Sequence, residues 1–365
     1  NGGGVLVHHI TISLCMIVKD EENVIGRCLS SIKDVVDEII IVDTGSSDNT
    51  IDMCKNFTDK IYNFKWIDDF SAARNFSFSK ATGDYILWLD ADDVILPDDI
   101  KKFKILKESL DTSIDSITMK YNVGFDEYGN ITLSYRRNRL VKHSKNFKWI
   151  GFVHEYLEVY GNVINSDVSV THKKIDFKPK RNIEIYENKL KERVNFSLRD
   201  ILYYANELYD HNRFKEALKY YTRFLNSKQG WSEDNIRVCN KICDYFESIN
   251  QEYKARSYIF KSFEYDSPRA EGCCRLGFSF LKENKLYQSI FWYETASKLE
   301  KPQNSLGFFN DSYWTWLPHL QLCVCYDKLG KHEIAYKHNE IAAKFIPKDK
   351  RILFNKKYFS GIGIS

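Results

Sequence analysis

The sequence has almost no excess of charge of either sign. Its 365 residues include 53 Lys and Arg against 50 Asp and Glu, which leaves a formal net charge of +3 at pH 7. Proteins that bind nucleic acid or anionic membranes through their overall charge carry a larger excess of basic residues. The composition therefore gives no reason to expect a nucleic-acid partner, and any basic patch has to be local.

Long apolar runs are also missing. No stretch approaches the roughly 18 apolar residues that a membrane helix needs, and the start of the chain shows no basic leader with an apolar core. We therefore expect a cytoplasmic protein without a membrane span. The opening residues 1–9, NGGGVLVHH, look partly like a cloning remnant and are kept out of the functional argument.

Cysteine pairs with metal-binding spacing are absent as well. The nine cysteines match no zinc site built from C-x2-C pairs. Their closest pairs are Cys239/Cys243, Cys273/Cys274 and Cys323/Cys325. Because most cysteines lie in apolar helical patterns, we expect them to pack as small apolar side chains rather than to form a metal or disulfide framework.

Strand and helix patterns alternate over the first 90 residues of the chain. Strand patterns cover 10–18, 38–43, 60–64 and 85–90, and helical patterns cover 21–32, 49–57 and 70–82. This alternation predicts an α/β domain with a parallel, doubly wound sheet and helices on both faces. In such sheets ligands bind at the carboxyl ends of the strands.

From about residue 183 onward strand patterns disappear and helical periodicity takes over. Small residues recur at Ala217, Ala255, Ser289 and Ala335, which are 38, 34 and 46 residues apart. These spacings are close to the 34-residue period of tetratricopeptide (TPR) helix pairs, with insertions. The segment resembles that all-α repeat, and a generic helical bundle is the alternative.

The change of pattern predicts three segments. We place the α/β domain at 10–175, a linker helix at 176–198 and the TPR-like helical repeats at 199–350. The region around the first boundary, THKKIDFKPKRN at 171–182, is rich in charge, as expected of a linker.

The stretch IIIVDTGSSD at 39–48 has two interpretations. Asp-Thr-Gly-Ser after a hydrophobic strand also occurs in aspartyl proteases, but these enzymes need two such aspartates facing each other. No second Asp-Thr-Gly or Asp-Ser-Gly is present, and the chain turns helical after Ser47. We therefore interpret Asp43 as a hydrogen-bonding contact to a nucleotide base or ribose.

An acidic turn follows the strand YILWLD and contains Asp90, Asp92 and Asp93. Three carboxylates this close repel one another unless a cation lies among them. Oxygen ligands favour Mg²⁺ or Mn²⁺, which would in turn bind the diphosphate of an activated substrate. The alternative is an acidic turn that caps the helix beginning near Pro97. Arg74, on the preceding helix, could bind a phosphate in bidentate fashion.

Together these motifs resemble the inverting family 2 glycosyltransferases of the GT-A fold over roughly residues 10–175. The resemblance rests on MIVKDEENVIGRCLSSI, IIIVDTGSSDNT, ARN and LDADD in this order. It implies a Rossmann-like nucleotide-sugar domain and transfer of a sugar from a nucleotide diphosphate sugar. We expect a UDP-sugar donor and Mn²⁺ or Mg²⁺ held by the Asp-x-Asp motif.

The resemblance also implies roles on the donor side. Asp92 would be the principal metal ligand, and Asp90 its neighbour toward the ribose or the metal. Asp43 would contact the nucleotide and Arg74 the diphosphate. Thr44 stands where many members carry a second Asp, so the division of base and ribose contacts there stays open.

The acceptor side is expected later in the chain, where FKWIGFVHEYLEV resembles a His-Glu segment of those members that carry TPR tails. Inversion by direct displacement needs one carboxylate to take the proton of the acceptor, and we assign this role to Glu155. The alternative for Glu155 is a surface residue at a strand end. His154 or a later histidine, His172, would approach the metal, although His172 has a structural alternative.

Arg137 and Arg139 form a local basic patch that would steer the diphosphate, or else a solvated strand face. The acceptor is left open between a Cys, Ser or Thr side chain of a peptide or protein, as in similar bacterial peptide glycosyltransferases, and a glycan. TPR surfaces usually bind peptides, so the repeats are expected to bind the acceptor or a second copy of the chain as a homodimer.

A different class of function is a non-catalytic TPR scaffold with a degenerate nucleotide-sugar domain. The retained Asp90, Asp92, Arg74 and Glu155 argue against it, because decay should remove charged site residues first. We therefore expect an enzyme, a metal-dependent inverting glycosyltransferase.

Overall fold

The computed structural model describes residues 9–125, 131–173, 180–301 and 310–364, and the chain divides into two compact units, 1–195 and 196–365. Residues 1–8 of the expected cloning remnant lie outside the described residues. So do 174–179 of the predicted linker and 302–309 within the predicted repeats.

The first unit is an α/β structure. Its described strands are β1 Ile12–Val18, β2 Glu38–Asp43, β3 Ile61–Asn63, β4 Tyr85–Trp88, β5 Asp93–Val94, β6 Ser116–Phe125, β7 Ile131–Lys142, β8 Lys148–Ile150, β9 Tyr156–Glu158 and β10 Val163–His172. Its described α-helices are α1 Ile25–Ile32, α2 Thr50–Cys54, α3 Phe70–Phe78, α4 Pro97–Ser109 and α5 Arg181–Lys191.

Eight strands form one mixed sheet in the order β3-β2-β1-β4-β7-β6-β10-β5. The pairs β3-β2, β2-β1 and β1-β4 are parallel, so the parallel sheet predicted from the first 90 residues is confirmed. Beyond β4 the sheet is mixed, because β7 runs antiparallel to both β4 and β6. This second half is a difference from a purely parallel arrangement, and its strands come from residues after the alternating segment.

The parallel strands end at one edge of the sheet. Val18 at the end of β1 pairs with Asp43 at the end of β2, and Asp90 follows β4 by two residues. The strand interiors are apolar and buried, as expected for parallel strands that are covered on both faces. Polar side chains therefore gather just beyond the point where β1, β2 and β4 leave the core.

The mixed half of the sheet brings later residues to the same place. Leu140 of β7 pairs with Leu87 of β4, which sets Arg139 beside Trp88. On the far side of the sheet, His172 at the end of β10 pairs with Asp93 of the short strand β5. Strand register thus joins residues that are up to 79 positions apart in the chain.

Helix α5 lies within the segment predicted to be a linker helix and belongs to the first unit. The ring of Tyr186 packs against Phe152 with centroids 5.3 Å apart, and the side-chain amide of Asn188 donates to Asp68 at 3.0 Å. These contacts hold α5 against two loops of the α/β unit.

The second unit is all-α among its described residues. Its α-helices are α6 Leu198–Asp210, α7 Phe214–Asn226, α8 Ser232–Ser248, α9 Glu252–Ser262, α10 Ala270–Lys282, α11 Leu286–Lys298, α12 Trp316–Lys328, α13 His332–Ala343 and α14 Lys350–Gly361. Within the described residues of the chain, no helix combines the length and apolarity needed to cross a membrane.

The recurring small residues occupy equivalent positions in the helical unit. Ala217, Ala255, Ser289 and Ala335 are each the fourth residue of the second helix of a pair, and each is at most 1% exposed. Gly277 lies so close to the next helix that a Cβ there would meet the ring of Tyr293 at 2.9 Å. Small residues therefore let paired helices approach, as TPR packing requires.

The turns within the four pairs are also equivalent. A residue with left-handed backbone lies five positions before each small residue, and the residue after it donates its backbone N–H to the preceding helix at 2.8–2.9 Å. The left-handed residues are Asn212, Asn250, Asn284 and Gly330. Asn and Gly tolerate this conformation best, so the turn chemistry repeats with the packing.

All nine cysteines are buried and unpaired with one another. Burial raises the pKa of Cys323, for example, to about 12. The thiols are therefore protonated at neutral pH, which suits packing as small apolar side chains.

Candidate active site

The acidic turn after β4 is partly buried and its three aspartates face different partners. The side chains of Asp90 and Asp92 are 30% and 23% exposed, whereas that of Asp93 is fully buried. The backbone N–H of Asp90 donates to Asp93 Oδ2 at 3.0 Å, which closes the turn. The turn does not simply cap α4, because its carboxylates bind side chains from other strands and helices.

Asp92, Asp93 and His172 form one group whose ligand-type atoms lie within 4.8 Å of one another. Nδ1 of His172 is 3.4 Å from Asp92 Oδ1 and 3.5 Å from Asp93 Oδ1. The carboxylate of Asp92, and then that of Asp93, raise the pKa of His172 to about 9. The hydroxyl of Tyr121 also lies 2.9 Å from Nδ1 of this histidine.

This group fits a divalent cation. Asp93 Oδ1 is buried and accepts no hydrogen bond from the described residues. The two neighbouring carboxylates supply the oxygen ligands that Mn²⁺ or Mg²⁺ prefers, and the imidazole of His172 adds a nitrogen ligand. Asp90, predicted as a second metal ligand, lies outside this group and binds Arg74 instead.

Arg139 is fully buried and forms an ion pair with Asp93. Its Nη1 lies 3.0 Å from Asp93 Oδ2 and donates to the carbonyl of Trp88 at 3.2 Å. Its guanidinium carbon lies 3.8 Å from the ring centre of Trp88 and 4.5 Å from that of Tyr121. With no exposed surface, Arg139 supports Asp93 in this structure and does not form a solvated strand face.

Arg137, two residues earlier on β7, is only partly buried. Its guanidinium carbon lies 5.1–5.8 Å from the ring centres of Trp88, Tyr121 and Tyr135. Aromatic faces attract a cation, and Nη2 of Arg137 also donates to the Tyr135 hydroxyl at 3.4 Å. Of the two arginines in the predicted basic patch, Arg137 is partly exposed and Arg139 is fully buried.

Arg74 joins two carboxylates that are 65 residues apart in the chain. Its Nε donates to Glu155 Oε1 at 2.6 Å and its Nη2 donates to Asp90 Oδ1 at 2.7 Å. Burial alone would raise the pKa of Asp90, but Arg74 and then Arg139 hold that pKa well below its usual range. The structure therefore brings Arg74, Asp90 and Glu155 together.

Local structure fixes the position of Arg74. Asp69 caps α3 by accepting the backbone N–H of Ala72 at 2.9 Å, so the helix starts at Phe70 and Arg74 is its fifth residue. Asn75 then holds the backbone of Trp149, donating to its carbonyl and accepting from its N–H, both at 2.9 Å.

The segment before Glu155 bends sharply. Gly151 has a φ of 98° and His154 a φ of 52°, and a positive φ is uncommon for residues other than glycine. Glu155 keeps only 11% of its side chain exposed. Of the two histidines considered for the metal, His172 is the one that joins the acidic group among the described residues.

Asp43 lies at the end of β2 and is 8% exposed. Its carboxylate accepts from the backbone N–H of Ser46 at 3.0 Å and from the Ser46 hydroxyl at 2.6 Å. The hydroxyl of Thr44 donates to the carbonyl of Val18 at 3.1 Å. Asp43 therefore closes its own turn at the carboxyl edge.

Sequence reasoning missed several residues that shape the site. Trp88 and Trp149 flank the guanidinium of Arg74, whose central carbon lies 5.1 and 4.8 Å from their ring centres. Tyr121 contacts both Arg139 and His172. The tryptophans stand within YILWLD and FKWIG, next to the predicted site residues, and this proximity was the available signal.

Residues 13–160 match the model of the glycosyl transferase family 2. This match lies within the first unit, and we refer to that unit as the glycosyltransferase domain. The carboxylates at the ends of its parallel strands are what the sequence motifs led us to expect of the GT-A fold, whereas the mixed half of its sheet was not predicted.

Several proteins are similar in sequence to parts of this chain. The glycosyltransferase SunS of the SPbeta prophage in Bacillus subtilis is 30% identical over 241 residues, which cover 61% of this chain and 55% of SunS. A TPR repeat-containing protein of Synechococcus elongatus is 52% identical over 85 residues, or 23% of this chain and 21% of that protein. An uncharacterized glycosyltransferase of Rickettsia typhi is 29% identical over 178 residues, which cover 46% of this chain and 55% of that protein.

The chain therefore spans about a fifth of the Synechococcus protein and about half of SunS and of the Rickettsia protein. The glycosyltransferase domain is followed by a TPR-like helical unit, as predicted from the repeating small residues.

Proposed function

We propose that this protein is a metal-dependent, inverting glycosyltransferase that uses a UDP-sugar donor. The observation that carries the proposal is the convergence of two groups at the carboxyl edge of the glycosyltransferase domain. One contains Asp92, Asp93 and His172, and the other contains Arg74, Asp90 and Glu155. Neither a protease nor a structural sheet needs both.

Asp92 and His172 would hold Mn²⁺ or Mg²⁺, and Asp93 would join them in place of the predicted Asp90. Bound there, the cation would neutralise charge on the diphosphate of the donor. Asp43 would contact the nucleotide, and a hydroxyl of the ligand would replace the Ser46 hydroxyl as the hydrogen-bond donor to its carboxylate. Arg137 would approach the diphosphate, since this residue is partly exposed while Arg139 is fully buried.

Glu155 would act as the catalytic base. It would take the proton of the acceptor O–H or S–H as the oxygen or sulfur forms a bond to the anomeric carbon. The bond from that carbon to the diphosphate oxygen breaks at the same time, and the electron pair leaves with the nucleoside diphosphate. One displacement of this kind inverts the anomeric centre.

The acceptor would be a peptide or protein side chain, or a glycan. The TPR-like unit supports the peptide alternative, because stacked helix pairs commonly bind peptides. A second copy of the chain is another candidate partner for this unit.

The test is a panel of nucleotide sugars, each measured for slow hydrolysis with Mn²⁺, with Mg²⁺ and with EDTA. We expect one UDP-sugar to be hydrolysed, EDTA to stop the reaction, and Asp92→Ala to abolish it. Asp98→Ala removes an exposed carboxylate of α4 and is the matched control. A protein that binds and hydrolyses no donor under any of these conditions would instead be a TPR scaffold.

A further inference from the structure

The side chain of Arg74 forms ion pairs with two carboxylates of the protein itself. Its guanidinium donates two short hydrogen bonds to carboxylates, from Nε to Glu155 at 2.6 Å and from Nη2 to Asp90 at 2.7 Å. The side chains of Arg74 and Glu155 are 10% and 11% exposed, so water screens this pair weakly. Charge-assisted hydrogen bonds of this length are among the strongest that a protein forms.

The surroundings of Arg74 leave its guanidinium little freedom. Trp88 and Trp149 flank it, and Asn75 ties α3 to the backbone of Trp149 by two hydrogen bonds. The backbone N–H of Phe70 also donates to the carbonyl of Phe152 at 3.0 Å. The helix that carries Arg74 and the loop that carries Glu155 are therefore joined independently of the ion pair.

A diphosphate would be a poor partner for this arginine. Its Nε and one N–H of Nη2 already bind carboxylates, so a diphosphate would have to approach the remaining N–H groups of a side chain that is 10% exposed, flanked by two tryptophans and next to two carboxylates. Like charges this close disfavour each other strongly. Arg137 lies at the same edge, and among the described residues it forms no ion pair within 4.0 Å.

We infer that Arg74 is a positioning residue for the base Glu155 and not a ligand of the diphosphate. It holds Glu155 Oε1 in one orientation and leaves Oε2 for the proton of the acceptor, while its second arm links the base to Asp90 on the donor side. This role rests on the proposed function, since it needs Glu155 to be the base.

Kinetics of donor hydrolysis, with water as the acceptor, separate the two roles of Arg74. For Arg74→Met we expect kcat to fall about 100-fold, the lower end of what a general base contributes, with the KM for the donor changed less than about threefold. Arg74→Lys keeps the charge but not the fork and should recover about tenfold. Arg136→Met removes an exposed arginine of β7 and is the control.

A double variant gives the sharper result. If Arg74 acts through Glu155, then Arg74→Met combined with Glu155→Gln will be no more than about twofold slower than Glu155→Gln alone. Independent contributions would multiply instead. The double variant also removes the unpaired charge of Glu155, so it keeps the test open if Arg74→Met folds poorly.

Binding of UDP with Mn²⁺, measured by calorimetry, decides the matter without turnover. We expect Arg74→Met to bind UDP within about threefold of the unchanged protein, and Arg137→Met to bind it at least about tenfold more weakly. A comparable loss of UDP affinity in Arg74→Met overturns the inference alone. Failure of the unchanged protein to bind UDP or hydrolyse any donor overturns the proposed function and this inference together.

Discussion

The two units of this protein contain different kinds of buried contact. In the glycosyltransferase domain, Arg139 and Asp93 form an ion pair with no exposed side-chain surface. In the helical unit, the crowded positions hold small and aromatic residues such as Gly277 against Tyr293. Arg269 and Glu233, an ion pair of the helical unit, keep 13% and 10% exposure.

This difference separates function from packing. Burying a charge costs solvation free energy that its partner only partly returns, so a buried ion pair is weak evidence for stability. Such pairs are retained where a carboxylate must be ready for a ligand or a reaction. At Gly277 the helical unit buries no charge, and the small residue allows two helices to approach closely.

The largest expected effect separates chemistry from stability at the sheet edge. Glu155→Gln should lower the rate of donor hydrolysis about 100- to 10,000-fold, because the amide cannot take the proton. Circular dichroism at the assay temperature should show an unchanged fold. Glu158→Gln alters an exposed residue of β9 and is the control. Equal rates for both variants would exclude Glu155 as the base.

The next effect tests the buried ion pair directly. Arg139→Met should lower the free energy of unfolding by about 3–5 kcal/mol, because it leaves Asp93 charged and buried without its partner. Adding Asp93→Asn should recover part of the loss. Urea denaturation measures both, with Arg136→Met on the same strand as control. A loss below about 1 kcal/mol would mean that the pair does not carry the stability of this edge.

A smaller effect is expected from crowding in the helical unit. Gly277→Ala should lower the free energy of unfolding by about 1–2 kcal/mol, because the new methyl group meets the ring of Tyr293. Gly361→Ala is the matched control, since nothing lies within 4 Å of a Cβ there. Donor hydrolysis should not change. If Gly277→Ala is as stable as Gly361→Ala, then the close approach of these helices is not limiting.

The last effect, which is limited to acid pH, concerns the stability of the helical unit. Burial, and then His338 at an Nδ1–Nδ1 distance of 3.0 Å, lower the pKa of His319 from 6.5 to about 4. The unfolded chain therefore takes up a proton near pH 6.5 that the folded unit refuses until about pH 4. Stability of this unit should fall as the pH drops across that window and stay constant above it.

Urea denaturation across this pH range checks the prediction. Tyr326 stacks on His338 and donates a hydrogen bond to Glu294. The unchanged protein and the variant must therefore be compared at each pH, because these neighbouring groups are present in both. His319→Gln should flatten the dependence between pH 6.5 and 4. An equally steep dependence in that variant would assign the acid sensitivity to other groups.

Much of the fold could be predicted from local sequence patterns. The spacing of Ala217, Ala255, Ser289 and Ala335 predicted four helix pairs, and each residue is the fourth of its helix. The alternation of the first 90 residues likewise predicted the parallel strands. Both signals are periodic along the chain, and packing repeats with the same period.

The site was harder to predict because its contacts are distant in sequence. Asp90, Asp92 and Asp93 were visible as one acidic turn, but nothing local indicates that Asp93 points inward to Arg139. The partners of Arg74 lie 16 and 81 residues away. Their meeting depends on the register of strands that single-sequence patterns do not determine.

The most direct test of the central claim is the anomeric form of the sugar first released from an α-linked UDP-sugar, followed by proton NMR during hydrolysis. A single displacement with Glu155 as base gives the β-anomer before mutarotation, and Glu155→Gln should release it far more slowly. First release of the α-anomer would contradict the account, because it requires retention of configuration and a different role for Glu155.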